Sequence, residues 1–287
     1  MSAKHRLPFL GLLIMVFSWV GVPPSGASGA ATLVVCAPGY PGSTVEAQPA
    51  MDDFAAAVAA AAGWGDGAFR SVYFETEEGG LARLAEPDAD LAMVTLPFFL
   101  EHQSRLNLRP IALAVPEGRE QLEPWALVAG IGKVRQPSDL DGWNIVSLAG
   151  HSPRFVRGPV LGDWGELPAG TGVSHSRAVL SSLRKAAKGE PVAVLLDAEQ
   201  TEALDRLPFA DDLEVVHRSR PLPVSVVCAV GNRLEEVGID AVEQALLGLD
   251  QYSSAADALA GVRLDRFEPP DVAALELAEA MFAKAAR

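Results

Sequence analysis

Residues 32–44 read TLVVCAPGYPGST. The apolar run Thr32–Ala37 predicts a strand, and Pro38-Gly39-Tyr40-Pro41-Gly42 a turn. Ser43 and Thr44 are hydroxyl residues of the kind that cap a helix. Beyond them Met51, Phe54, Ala55, Val58 and Ala62 recur at helical spacing, so a helix over 44–62 turns one face to a core, with Gly63 and Gly65 as its stop. A strand that feeds a capped helix through a tight turn gathers free backbone N–H groups in one spot, which suits a small anion.

The same alternation continues outward. Ser71–Phe74 reads as a short strand, Glu75-Thr76-Glu77-Glu78-Gly79-Gly80 as a turn, Leu81–Ala85 as a small helix and Asp90–Thr95 as a buried strand. A helix opens at Pro97 and runs to about Leu106, and Leu108–Ala114 is a further strand. Strand and helix in turn at these lengths imply an α/β fold, each lobe a mostly parallel sheet flanked by helices. On such sheets ligands sit outside the carboxyl ends of the strands, which singles out the loops 38–44, 75–80 and 95–99. Two polar, Pro-bearing stretches, Pro116–Pro124 and Arg218–Pro223, read as crossings. Between them strands are expected at Trp125–Ala129, Asn144–Leu148, Val192–Leu196 and Leu213–His217, with helices at Ser174–Lys188 and Ala198–Arg206. After the second crossing come a strand (Val224–Val230) and helices at Gly238–Leu249 and Asp271–Lys284. The expected layout is one lobe over 30–120, a second over 121–220 and a return to the first over 221–287, with a cleft between hinged halves.

Residues 1–29 have the parts of a secretory leader: basic Lys4, His5 and Arg6, an apolar core over Leu7–Val22, and the small residues Ala27-Ser28-Gly29 as a cleavage site. The apolar run is short for a membrane span. Bulky Val35 before Cys36, far past that run, argues against lipidation, so a periplasmic protein is expected. The chain carries a net charge of −14, and removing the leader takes two basic residues and no acidic ones. Such a surface repels nucleic acid and anionic membranes, while backbone dipoles and a well-placed Arg still permit local anion binding. Forty-nine percent apolar residues suffice for a large core. Cys36 and Cys228 both fall on expected strands, and no Cys or His spacing suits a metal, so neither metal nor cofactor is expected.

One stretch comes near a catalytic motif. Gly150-His151-Ser152-Pro153-Arg154 follows a strand and resembles Gly-x-Ser-x-Gly, but Pro153 has no N–H to give an oxyanion hole and Arg154 stands where the turn wants Gly. No catalytic residue is expected. The same residues read as a helix start with Pro153 in its first turn, in a local basic spot formed by His151, Arg154 and Arg157. Glu75, Glu77 and Glu78 are explained by a helix N-terminus, though they leave a cationic ligand open. Asp197 ends a strand and faces the cleft by position.

In this layout the chain resembles the type II periplasmic binding proteins, and more narrowly the phosphate/phosphonate-type substrate-binding subunits of ABC importers. The likeness rests on the exported leader, on Val34-Val35-Cys36-Ala37-Pro38-Gly39-Tyr40 entering a helix and on Val72-Tyr73-Phe74-Glu75-Thr76. It rests also on Asp90-Leu91-Ala92-Met93-Val94-Thr95-Leu96-Pro97-Phe98-Phe99 and on Ser138-Asp139-Leu140-Asp141-Gly142. The resemblance implies passive capture of a small solute, with a phosphate- or phosphonate-like oxyanion favoured. It implies delivery to an ABC permease by a monomer that is not an enzyme. Mapped by motif, the first lobe would offer Tyr40, Ser43, Thr44, Thr76 and Thr95, and the second Ser147, Gly150, His151 and Ser152, beside which this chain adds Arg154. Ser147-Leu148-Ala149-Gly150-His151-Ser152 holds fewer hydroxyls than the family's second lobe usually does, and the strand end Thr95-Leu96-Pro97 stands where many members have Gly-Pro. The sheet order of such lobes puts Cys36 and Cys228 on strands that flank a shared neighbour, about 9–10 Å apart and too far to bridge. A sensor subunit for a membrane kinase, or an enzyme on the same two lobes, would share the cleft.

Overall fold

The structure, a computed structural model, describes residues 31–40 and 42–285. The expected leader and Pro41 lie outside them. Thirteen strands are described: β1 (Ala31–Cys36), β2 (Phe69–Phe74), β3 (Leu91–Thr95), β4 (Leu108–Pro116), β5 (Leu122–Glu123), β6 (Ala126–Gly130) and β7 (Asn144–Ser147). They continue as β8 (Gly172–His175), β9 (Val192–Leu196), β10 (Leu213–Arg218), β11 (Leu222–Pro223), β12 (Ser225–Val230) and β13 (Leu264–Glu268). One sheet runs β13-β4-β12-β3-β1-β2 and a second β10-β6-β9-β7-β8, while β5 and β11 pair antiparallel in the crossings. Two lobes result.

Both sheets are mixed, where the sequence predicted mostly parallel ones. β1 pairs parallel with β2 and β3, but β12 lies antiparallel to β3 and β4, and β13 antiparallel to β4. In the second lobe β7, β8 and β9 run parallel and β6 opposes β9. For β12 and β6 the reason is the double crossing. A strand that enters a lobe from the other one starts at the cleft end, where β1 and β3 finish, and so must run against them.

β1 is apolar and buried along its whole length, as a strand covered on both faces must be. The helix Thr44–Ala61 carries the chain from β1 to β2 and buries Met51, Phe54, Ala55, Val58 and Ala59 against the sheet. β3 stands between the two cysteine strands: Cys36 pairs with Val94 and Cys228 with Ala92. Both thiols are free and buried, and burial pushes Cys36 up to about 12 and Cys228 higher still.

Two stretches differ from expectation. Ser174–Lys188 is not one helix. Gly172–His175 pairs parallel with β7 as an edge strand, and the helix begins only at Val179. No element was expected between Leu249 and Asp271, yet Leu264–Glu268 adds an edge strand beside β4. Both are short, and their pairing to a pre-existing sheet edge outweighs local propensity.

The last helix, Val272–Ala285, reaches across to the second lobe, packing on the Pro153–Val160 segment. Phe282 lies under the Arg154 guanidinium at 4.0 Å. Through Phe98, Phe155, Val156, Leu275 and Phe282 one apolar cluster runs from lobe to lobe behind the cleft. No helix among the described residues is long and apolar enough to cross a membrane.

Candidate functional site

A cavity of about 600 Å³ lies between the lobes. Its walls are the cleft ends of β1, β3 and β9, the start of the first helix, and both crossings. That is where an open α/β sheet leaves room, because strands end there while the loops diverge.

β3 delivers Thr95 to this cavity. Thr95 sits at the N-cap of the helix Leu96–Leu106, but its side chain makes no capping bond. The Leu96 N–H is already held by the Val224 carbonyl at 3.2 Å, and Pro97 has no N–H. Thr95 Oγ1 is buried with no protein partner. A buried hydroxyl in that state costs about 1–3 kcal/mol unless something else meets it.

The second lobe contributes His151, which also lines the cavity. Its Nδ1 contacts the Leu148 carbonyl at 3.0 Å, and its Nε2 is buried with no protein partner. Burial pushes the imidazole below the usual histidine range.

Tyr40 closes one side. Its hydroxyl donates across the cleft to Asp197 Oδ2 at 3.4 Å. Asp197 also caps the helix Ala198–Glu202, with Oδ1 accepting from the Gln200 N–H at 2.8 Å. Burial raises the Asp197 carboxyl, and burial together with Asp197 raises the Tyr40 phenol. At the crossings Arg119 donates to Glu123 at 3.2 Å and to Glu202 of the second lobe at 3.1 Å, while Arg263 pairs with Glu199 at 2.9 Å. The lining holds five carboxylates (Glu46, Glu117, Glu123, Asp197, Glu199) against the guanidinium groups of Arg119 and Arg263, between apolar walls that include Met51, Met93 and Trp125.

Of the residues singled out from sequence, the structure brings Tyr40, Thr95, His151 and Asp197 together here. It does not bring the others to the lining. Ser43 closes a capping box with Glu46, Thr44 donates to Glu75 at 3.5 Å, and Thr76 caps its own helix through the Gly79 N–H. Ser147 is fully buried and accepts from the Ala149 N–H. Gly150 packs so closely on the Ser174 carbonyl that a Cβ would overlap it. Ser152 donates to Glu101 of the first lobe at 2.9 Å, and Arg154 stands 3.6 Å from the same carboxylate. The basic helix start thus already faces an anion, one supplied by the chain itself. Arg119, Glu123 and Trp125 were not singled out. The signal for them is their place in or beside a crossing, which reads as linker until its partner strand is known.

A family model described as "ABC transporter, phosphonate, periplasmic substrate-binding protein" matches residues 43–275. The chain belongs to this family. Its members are substrate-binding components of transporters, not enzymes, and are periplasmic. Among solved structures, this substrate-binding protein is similar in fold to XAC2383 from Xanthomonas citri bound to ATP, at 15% identity and a TM-score of 0.69 over 91% of this chain and 98% of that one. It is also similar to PhnD1 from Prochlorococcus marinus in complex with methylphosphonate, at 13% identity and a TM-score of 0.60 over 89% and 98%. The aliphatic sulphonate binding protein SsuA of Escherichia coli follows, at 12% identity and a TM-score of 0.53 over 91% of each chain. No curated protein matches the sequence.

Proposed function

We propose that this substrate-binding protein is exported by its leader without a lipid anchor. On this reading it acts as a monomer, captures a small organic oxyanion of the phosphonate class in the interlobe cavity, and hands it to an ABC permease. The lobes over 30–120 with 221–287 and over 121–220 close on the ligand as two hinged halves. The observation that carries this reading is that one cavity is lined by Thr95 from the first lobe and His151 from the second, each carrying a buried polar atom that lacks a protein partner. A ligand that meets both is held only when the lobes are together, which is what a capture-and-release protein requires. Apolar walls and a volume well above that of a bare inorganic anion favour a ligand with an organic body. Within that class the carboxylates around Asp197 favour a positively charged substituent over a second negative one.

Thermal-shift measurements with phosphate, phosphite, methylphosphonate, aminoalkylphosphonates, sulfate and molybdate test the proposal. A ligand at 100 times its Kd adds about 2.7 kcal/mol to the folded state. The expected result is a clear rise in Tm with an organic phosphonate. No rise with any of these at millimolar concentration overturns the oxyanion reading.

A further inference from the structure

The short helix Ala198–Glu202 of the second lobe carries Glu199 and Glu202 three residues apart, so both carboxylates lie on one face. Two guanidinium groups meet that face: Arg263 donates to Glu199 at 2.9 Å and Arg119 to Glu202 at 3.1 Å. Both are mounted on the edge of the first lobe. The turn that carries Arg119 is tied to β13 and the residue before it, the Glu117 N–H donating to the Arg263 carbonyl at 3.1 Å and the Gly118 N–H to Asp265 at 2.7 Å. Arg263 stands at φ 57°, in the left-handed region that favours Gly or Asn. Its side chain is 63% exposed, so core packing does not explain an arginine on such a backbone. Arg263 and Glu199 both line the cavity and both face solvent, which puts their pair at the rim.

We infer that this edge is an electrostatic latch, in which Arg263 and Arg119 grip Glu199 and Glu202 and hold the two lobes together across the cavity rim before any solute arrives. This rests on the hinged-lobe reading above and deepens it: part of the closing free energy comes from the chain's own charges instead of from the ligand. All four groups belong to the protein, so the pairs form whether or not a solute is bound. One exposed ion pair is weak. Two pairs on a single short helix oppose the same motion, because drawing the lobes apart breaks both. A latch of that strength biases the closed state without locking it, by about 3- to 10-fold in the ratio of closed to open molecules. Arg263 is the member that can be removed cleanly, since Arg119 also holds Glu123 inside the crossing.

Spin labels on Val45→Cys of the first lobe and Leu180→Cys of the second, both exposed and neither in the latch, report the separation of the lobes in ligand-free protein. Cys36 and Cys228 are buried and stay unlabelled. Electron–electron distance measurements on the otherwise unaltered protein are expected to show mainly a short separation at low salt and a shift toward longer ones at about 1 M, where exposed pairs are screened. Arg263→Glu sets like charges together and is expected to lower the closed-to-open ratio about 10-fold. Adding Glu199→Arg to it is expected to restore the ratio to within about threefold, a rescue that a merely structural role for either residue would not give. Arg263→Asn suits the left-handed backbone and is expected to keep or raise Tm while lowering the ratio about threefold, which keeps the test intact if the charge reversal fails to fold. An unchanged separation in the Arg263 variants, or a charge swap that does not restore it, overturns the inference. No solute enters the measurement, so its failure is told apart from failure of the phosphonate reading.

Discussion

Two turns of the first lobe look alike in sequence and behave oppositely in the fold. Phe74-Glu75-Thr76 and Met93-Val94-Thr95 each lead from a strand of the same sheet to a threonine that opens a helix. Thr76 accepts from the Gly79 N–H at 3.2 Å and is used up as a cap. Thr95 makes no such bond: Pro97 removes one of the two donors a cap would use, and the Leu96 N–H goes to the Val224 carbonyl of the returning crossing. The second lobe repeats the contrast within six residues. The hydroxyls of Ser147 and Ser152 are spent on Ala149 and on Glu101, and only Nε2 of His151 is left without a partner. Polar groups at strand–helix turns are therefore not interchangeable ligand donors. A group is free for a solute when the local backbone has no use for it.

This contrast can be broken in graded ways. Gly150→Ala forces a methyl into the Ser174 backbone and is expected to cost about 3 kcal/mol of stability in denaturant unfolding, whatever ligand is present. A loss confined to binding would return Gly150 to the site. Thr95→Val keeps the shape and removes the hydroxyl. Ligand affinity is expected to fall about 10- to 30-fold by calorimetry, while Tm stays level or rises, since the group removed has no protein partner. Thr76→Ala should do the reverse, with about 1 kcal/mol lost from stability and affinity unchanged. If Thr95→Val destabilised and Thr76→Ala weakened binding, the contrast would be inverted.

The smallest effect concerns Asp197. Its carboxyl is raised in the folded state by burial, so the folded protein holds a proton that the unfolded chain has lost. Stability then falls as pH rises from the unfolded value through the raised one. Asp197→Asn can still cap its helix and accept from Tyr40. The variant is expected to match wild type in Tm below about pH 4 and to exceed it at pH 7. A variant less stable than wild type at pH 7 would mean that the ionised carboxylate stabilises the fold.

Much of the lobe framework was legible in the chain. The strand at 31–36 and the helix behind it could be read because apolar periodicity is local. The free cysteines followed once the order of β1, β3 and β12 was expected. Short edge strands were not legible: Gly172–His175 and Leu264–Glu268 exist because β7 and β4 offer unpaired edges. The site was legible in part. Tyr40, Thr95 and His151 could be named because they sit at strand ends. Arg119 and Glu123 could not, since residues of a crossing acquire meaning only when Leu222–Pro223 pairs with it.

The sequence alone determined two α/β lobes joined by a double crossing, because hydrophobic spacing and turn chemistry act between near neighbours along the chain. Only the tertiary structure decided which residues line the cavity and which polar groups keep their hydrogen bonds unmade. That depends on partners far away in sequence: Glu101 for Ser152, Val224 for the helix at Thr95, and Tyr40 for Asp197. Hydrogen bonding saturates, so the groups available to a solute are those the rest of the fold has not already claimed.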